Sequence, residues 1–324
     1  MSSVAPVIDM RMRYVSLFSG IEAASVAWIP LGWAPVAFSE IDPFACAVLR
    51  HHYPSVLNLG DITQVDWSVL RGKADVVIGG SPCQSFSIAG KREGLQGQSG
   101  LMFEYIRAVC EIRPKWFVWE NVPGALTVER GEAFRQFLSE MDDLGYGMAW
   151  RILDSQFFGV AQRRRRLYVV GHLGDMRAGD VLFESESMCG NHPSSKQKRE
   201  ALARASERFI GEGREPVVLK IRQGKPGGGK GALIGEETSF TLSTSQDQTV
   251  FAPTDTGYIV RRLTPTECER LQGFPDGWMD VPFKGSEHPS DTPRYRALGN
   301  SFAVPVVRWI GERIKAVEDG TTGD

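Results

Sequence analysis

The chain has 324 residues, of which 42% are hydrophobic and 23% charged, with a formal net charge of −2. That is ordinary globular composition, it excludes a wholly basic nucleic-acid binder, and no apolar run reaches the roughly 18 residues of a membrane span. Five scattered cysteines (46, 83, 110, 189 and 268) form no CxxC pair, which argues against a disulfide framework or a zinc site and fits a reducing cytosol.

The charge is unevenly spread. Residues 151–230 hold 16 Lys and Arg against 9 Asp and Glu, a net of +7, so the remainder carries 21 against 30, a net of −9. A basic segment on an acidic body points either to a polyanion met by one face or to solvated surface helices.

In chain order, "RYVSLFSG" (13–20) reads as a buried strand and "IEAASVAWIPLG" (21–32) as a helix. "APVAFSEID" (34–42), "VLNLGDI" (56–62), "ADVVIGG" (74–80) and "KWFVWENVPG" (115–124) are further strands, with helices at "PFACAVLRHHYP", 99–114 and 131–146 between or after them. Stretches 147–159 and 165–173 close the series. Strands alternating with helices predict an α/β fold with a mostly parallel sheet. From about residue 175 the pattern becomes polar and irregular, and helix signals return at 264–275 and 304–317. Thr264 or Thr266 would cap the first of these. This predicts a catalytic and cofactor-binding domain in two parts, 1–174 and 259–324, interrupted by a smaller insert at 175–258.

The first strand ends in a glycine turn, but the dinucleotide fingerprint GxGxxG is absent: "GIEAAS" keeps only Gly20, and Glu22 would repel a pyrophosphate. Glu40 lies 20 residues after Gly20 at a strand end, where an acid meets ribose hydroxyls, and Asp61 is placed to accept from an adenine amino group. Strand-end acids are also common caps. Three consecutive strand ends carrying this set, the Gly20 turn, Glu40 and Asp61, fit S-adenosylmethionine better than NAD or ATP.

"DVVIGGSPCQSFS" (75–87) sets Cys83 just past a buried strand, in the loop position where α/β proteins keep their chemistry. "VWENVPG" sets Glu120 at the end of another buried strand, either as a carboxyl raised by desolvation or as a cap. In "AQRRRRLYVV", Gln162, Arg164 and Arg166 share one side of an extended chain and Arg163 and Arg165 the other. Such a row either meets phosphate and base edges or guards a strand edge. "GKPGGGKG" (224–231) nearly matches a phosphate-binding loop, but Gly231 replaces the required Ser or Thr. A basic loop along a nucleic-acid backbone suits it better.

Taken in order, "LFSGIEAA", "FSEIDPFA", "GDIT", "GGSPCQSFSIAGKREG", "WENVPG", "QRRRRLYVVG", "RRLTPTECERLQGFPDGW" and "RALGNSFAVPVV" resemble the C5-cytosine DNA methyltransferase family over about 13–172 and 259–315. Ser81 stands where that family often has proline, and Glu22 where it often has glycine. The resemblance implies a Rossmann-like methyltransferase fold with an inserted target-recognition domain. It also implies methyl transfer from S-adenosylmethionine to C5 of a cytosine flipped out of double-stranded DNA. Cys83 would add to C6, Glu120 would protonate or hydrogen-bond N3, and Arg164 would hold the O2 edge or the thiol loop.

By the same resemblance, Phe18, Gly20, Glu40, Ile41, Asp61, Ile62, Pro82, Leu101, Asn300 and Ser301 line the cofactor pocket. Gln84, Ser85, Gln162 and Arg166, with Arg222, Lys225 and Lys230 of the insert, are the expected DNA contacts. A soluble cytoplasmic enzyme of bacterial or phage type, without metal or membrane and monomeric on DNA, is expected. A tRNA methyltransferase is the nearest rival, and the long basic insert favours duplex DNA over it. A catalytically silent DNA-binding regulator would have no reason to keep Cys83, Glu120 and the arginine row together.

Overall fold

The computed structural model describes residues 12–82, 100–183, 217–220, 233–236, 238–244, 248–254 and 257–321. The main sheet is built from β1 (Arg13–Leu17), β2 (Ala34–Ser39), β3 (Leu57–Asn58), β4 (Val76–Gly79), β5 (Trp116–Asn121), β6 (Tyr146–Asp154) and β8 (Arg165–Leu173), in the order β3-β2-β1-β4-β5-β8-β6. The first five strands run parallel, and β8 is antiparallel to both of its neighbours. The expected mostly parallel sheet is therefore present.

Both faces of the sheet are covered, which is why its strands read as unbroken apolar runs. Trp116 and Val118 enter one core with Tyr168, Trp28, Val307 and Ile310. Phe117 and Trp119 enter the other with Tyr105, Val109, Phe137 and Met141. The helices over these faces are α1 (Ala23–Trp28), α2 (Pro43–His52), α3 (Gly100–Ile112), α4 (Glu132–Asp143), α5 (Ala178–Leu182), α6 (Pro265–Gln272), α7 (Asp291–Asn300) and α8 (Val304–Glu318). The first is shorter than expected because Pro30 turns the chain into a 3-10 segment at Ile29–Leu31. The Thr264–Glu267 capping box starts α6 as predicted. The last helix, α8, packs back on α1 and α5 rather than directly on the first strands, and Trp28 Nε1 of α1 donates to the Val307 carbonyl at 2.8 Å.

A second, antiparallel sheet holds β9 (Val217–Lys220), β10 (Leu233–Glu236), β12 (Gln248–Thr254) and β13 (Gly257–Arg262), in the order β10-β9-β12-β13. A two-stranded ladder joins β7 (Gln162–Arg163) to β11 (Ser239–Phe240), which ties this region to the arginine row. Val218, Leu242 and Val250 share a core with Phe302 and Val304. Two elements lie across the expected boundaries at 174 and 258 or just inside them. The helix α5 fell inside the expected insert, yet its Ala178, Val181 and Leu182 are wholly buried and Arg313 Nε donates to the Val181 carbonyl at 2.9 Å. At the other end, β13 runs across the expected boundary at 258 to Arg262.

Candidate active site

The order in which strands are added to the sheet reverses between the parallel neighbours β1 and β4, and ligands bind at such switch points beyond the carboxyl ends of the strands. A cavity of about 1150 Å³ opens there, just above the roughly 300–1,000 Å³ of most ligand sites. Phe18, Gly20, Glu40, Ile41, Asp61, Ile62, Pro82, Leu101 and Asn300 line it, together with Glu120, Arg164 and Arg166. Nine of the ten residues expected to hold the cofactor thus face one space.

The tenth, Ser301, is buried and is not among the lining residues; its carbonyl accepts from Arg164 at 2.6 Å. The stretch 299–301 closes α7, with Ser301 as the C-cap.

Glu40 is oriented by the backbone. Its carboxylate accepts from Gly20 N at 2.7 Å, Ile41 N at 2.8 Å and Asp42 N at 2.7 Å. A carboxylate has about four acceptor sites, so capacity for a ribose hydroxyl remains. Asp61 Oδ1 caps the turn at Thr63, which leaves Oδ2 for a ligand. Glu22 is fully buried and in the left-handed region (φ 67°), where it caps α1 by accepting from Ser25 N and Oγ at 2.9 Å. Burial pushes its carboxyl up to about 7, against the hydrogen bonds from Ser16 and Ser25. Its side chain is thus turned away into the core, and it does not line the cavity.

This donor set suits a cofactor without phosphate. Glu40, Asp42 and Asp61 line one wall of the cavity, and no described cation forms an ion pair with any of the three. The acids would repel a pyrophosphate, yet they match the hydroxyl and amino donors of an adenosine.

Glu120, at the end of β5, is 9% exposed. Burial raises its carboxyl above the ordinary carboxylate range, and Arg166 and Arg164 pull it back. Arg166 Nε lies 3.0 Å from Glu120 Oε1. The backbone at Gly80 comes so close that a Cβ there would sit 2.9 Å from Glu120 Oε2 and 3.0 Å from Phe302. The same strand end holds the stub of the thiol loop: Trp119 Nε1 donates to Ser81 Oγ at 3.2 Å, and Asn121 Nδ2 to the Ser81 carbonyl at 3.3 Å. Cys83, Gln84 and Ser85 lie outside the described residues, as do Arg222, Lys225 and Lys230.

The arginine row alternates as its spacing predicts, with Arg163 and Arg165 exposed and Gln162 and Arg164 buried. Its contacts differ from those expected. Gln162, an expected DNA contact, is fully buried and its Nε2 donates to the Leu271 carbonyl at 3.3 Å, so duplex DNA cannot reach it. Arg164 ties the arginine row to the far end of the chain through Gly299 O at 3.3 Å and Ser301 O at 2.6 Å. Burial, with the repulsion of Arg166, pushes its guanidinium down to about 10. Arg166, expected on DNA, is the arginine paired with Glu120. Sequence reading also missed the wall at Phe283, Lys284, His288 and Arg296, for which the only available signal was basic residues beside the glycine–asparagine pair.

A profile described as "C-5 cytosine-specific DNA methylase" matches residues 12–208 and 191–316. The chain belongs to that family. As a C-5 cytosine-specific DNA methylase it draws its methyl group from S-adenosyl-L-methionine. The Type II methyltransferase M2.BsuMI of Bacillus subtilis is 31% identical to it, over 94% of this chain and 75% of that protein. The Type II methyltransferase M.MspI of Moraxella is also 31% identical, over 93% and 70%. A protein of Escherichia phage P1 described as a DNA N-6-adenine-methyltransferase is 32% identical over 95% of this chain, which spans only 62% of the phage protein. Among solved structures, the Dnmt2 methyltransferase of S. pombe superposes with a TM-score of 0.67 at 18% identity, over 95% of this chain and 99% of that one.

Among the described residues no group of three or more His, Cys, Asp or Glu is placed to hold a metal ion, and no helix is long and apolar enough to cross a membrane.

Proposed function

We propose that this methylase acts on a cytosine flipped out of a specific duplex sequence, with Cys83 as nucleophile and Glu120 as the acid at N3. The observation that carries the reading is the single cavity shared by Glu120, Arg166 and the acidic wall of Glu40 and Asp61. Unactivated C5 is a weak nucleophile towards a sulfonium methyl. A thiolate adding to C6 makes C5 enamine-like, and the ring then needs its growing charge met at N3. A carboxyl raised by burial holds a proton nearer neutral pH than an exposed one and can supply that contact. Ser81, two residues before Cys83 in the chain, is clamped by Trp119 and Asn121 at the strand end that carries Glu120, which supports pairing the two in one mechanism.

Bound S-adenosylmethionine supplies an electrophilic methyl group. Phe18 and Ile62 would flank its adenine, Asp61 would accept from the amino group and Glu40 from the ribose, with Asn300 closing the far wall. Arg166, rather than Arg164, would hold the O2 edge of the base, because Arg164 is committed to the carbonyls of Gly299 and Ser301. After transfer, loss of the C5 proton and elimination of Cys83 restore the ring. An exocyclic adenine amine would need no covalent addition, so the Cys83 and Glu120 pair favours cytosine. The insert, at about 184–262, would read the bases, and the protein would bind DNA as a monomer in the cytoplasm.

Incubation with radiolabelled S-adenosylmethionine and plasmid DNA, followed by bisulfite sequencing, tests this. Sequence-specific 5-methylcytosine from the wild type and none from Cys83→Ala is expected. Methyl transfer to RNA alone, or to adenine, would overturn it.

A further inference from the structure

Trp278 has no part in the chemistry proposed for Cys83 and Glu120, yet it reaches the turn that carries Phe18 and Gly20, two lining residues of the cavity. Its indole Nε1 donates to the Ile21 carbonyl at 2.9 Å, across 257 residues of sequence. Phe18 (φ 52°), Gly20 (φ 55°) and Glu22 (φ 67°) of that turn all lie in the left-handed region. Residues with a side chain are strained there and persist only where their surroundings hold them. The end of β2 supplies part of the hold: Glu40 accepts from Gly20 N at 2.7 Å and the Ser39 carbonyl from Ser19 N at 3.1 Å. Trp278 supplies a further part, from the segment that follows the insert.

Trp278 is itself built into place. Its ring stacks on the imidazole of His52, the last residue of α2, with centroids 3.6 Å apart and planes within 1°. A carbonyl only accepts, so His52 Nε2 carries a proton and donates to the Trp278 carbonyl at 2.8 Å. The fully buried Glu269 of α6 fixes the residues on either side, accepting from Gly277 N at 2.7 Å and from Met279 N at 3.0 Å. Phenylalanine could stack on His52 too; it lacks the N–H that meets Ile21.

We propose that Trp278 is a positioning residue for the cofactor, whose indole N–H holds the Ile21 carbonyl and keeps the Phe18–Glu22 turn in the shape that receives S-adenosylmethionine. This rests on the cofactor lying against that turn and Glu40. Without the N–H the turn relaxes in the free protein and binding must restore it. The loss therefore falls on cofactor affinity and spares the methyl-transfer step.

The test compares wild type, Trp278→Phe and Glu40→Gln by calorimetric titration with S-adenosylmethionine, by KM and kcat, and by thermal melting. In Trp278→Phe the cofactor Kd and KM rise about tenfold, whereas kcat at saturating cofactor changes less than about twofold. Benzothienylalanine at 278 alone keeps the bicyclic shape with sulfur in place of the N–H. It reproduces the rise in Kd with a melting temperature close to wild type, whether or not Trp278→Phe folds. A wild-type Kd in the benzothienylalanine protein, with binding weakened in Glu40→Gln, would make Trp278 a packing residue and overturn the inference alone. So would a loss confined to kcat. Wild-type affinity in Glu40→Gln would instead overturn the placement of the cofactor at this wall.

Discussion

The two inward arginines separate cleanly under substitution. Arg164 is 3% exposed and donates to two carbonyls that flank Asn300, at 3.3 and 2.6 Å. A hydrogen bond from a charged donor is worth about 1.5–3 kcal/mol, and each buried carbonyl left alone costs about 1–3 kcal/mol more. Relief of the buried charge offsets part of this, so Arg164→Ala should lose about 3–5 kcal/mol. That is a large share of the 5–15 kcal/mol typical of a folded domain. Because Asn300 sits between the released carbonyls, cofactor affinity should fall with it. Arg166→Ala removes the partner of Glu120 at 3.0 Å from a pair whose side chains are only 15% and 12% exposed; Glu120 can take a proton instead of standing as a lone buried charge, so stability should fall by about 1–3 kcal/mol. It should lower kcat about 100-fold and leave cofactor affinity alone. Urea unfolding, cofactor titration calorimetry and single-turnover methylation read the three quantities. An Arg164→Ala protein as stable as wild type with unchanged cofactor affinity would refute the structural-tie argument.

Gly80→Ala forces a Cβ to 2.9 Å from Glu120 Oε2 and 3.0 Å from Phe302. Displacing the carboxyl by a few tenths of an ångström should cost about tenfold or more in kcat at nearly constant cofactor affinity, and unaltered turnover would count against Glu120 as a reacting group. Glu22 is raised to about 7 in the fold from an ordinary 4.5. The folded state then binds more protons than the unfolded one, so stability is lost as pH climbs from about 4.5 through 7. Glu22→Gln keeps the cap without the charge. Its stability relative to wild type should rise over that window by about 3 kcal/mol, read by unfolding at pH 5 and pH 8; a constant difference would show that Glu22 does not titrate there.

The parallel strands were legible because burial on both faces leaves runs such as Trp116–Trp119 wholly apolar. The acidic wall was legible for a related reason, since Glu40 and Asp61 stand where strands hand over to loops. What escaped was tertiary. Asp291–Asn300 forms a helix although "DTPRYRALGN" has a proline third and little apolar periodicity. Alternation placed Gln162 and Arg164 on one side, but nothing local says that this side meets Leu271 and Gly299 rather than DNA. Their partners lie 109 and 135 residues away in sequence.

The return of α8 to α1 also bears on how the chain is made. The Trp28–Val307 hydrogen bond spans 279 residues, and synthesis at about 5–20 residues per second takes roughly 14–56 s to cover them. For that time the apolar face of α1 has no partner helix and the pocket no Asn300. A growing chain therefore holds Glu120 and the Glu40–Asp61 wall long before Asn300 can close the cavity over them.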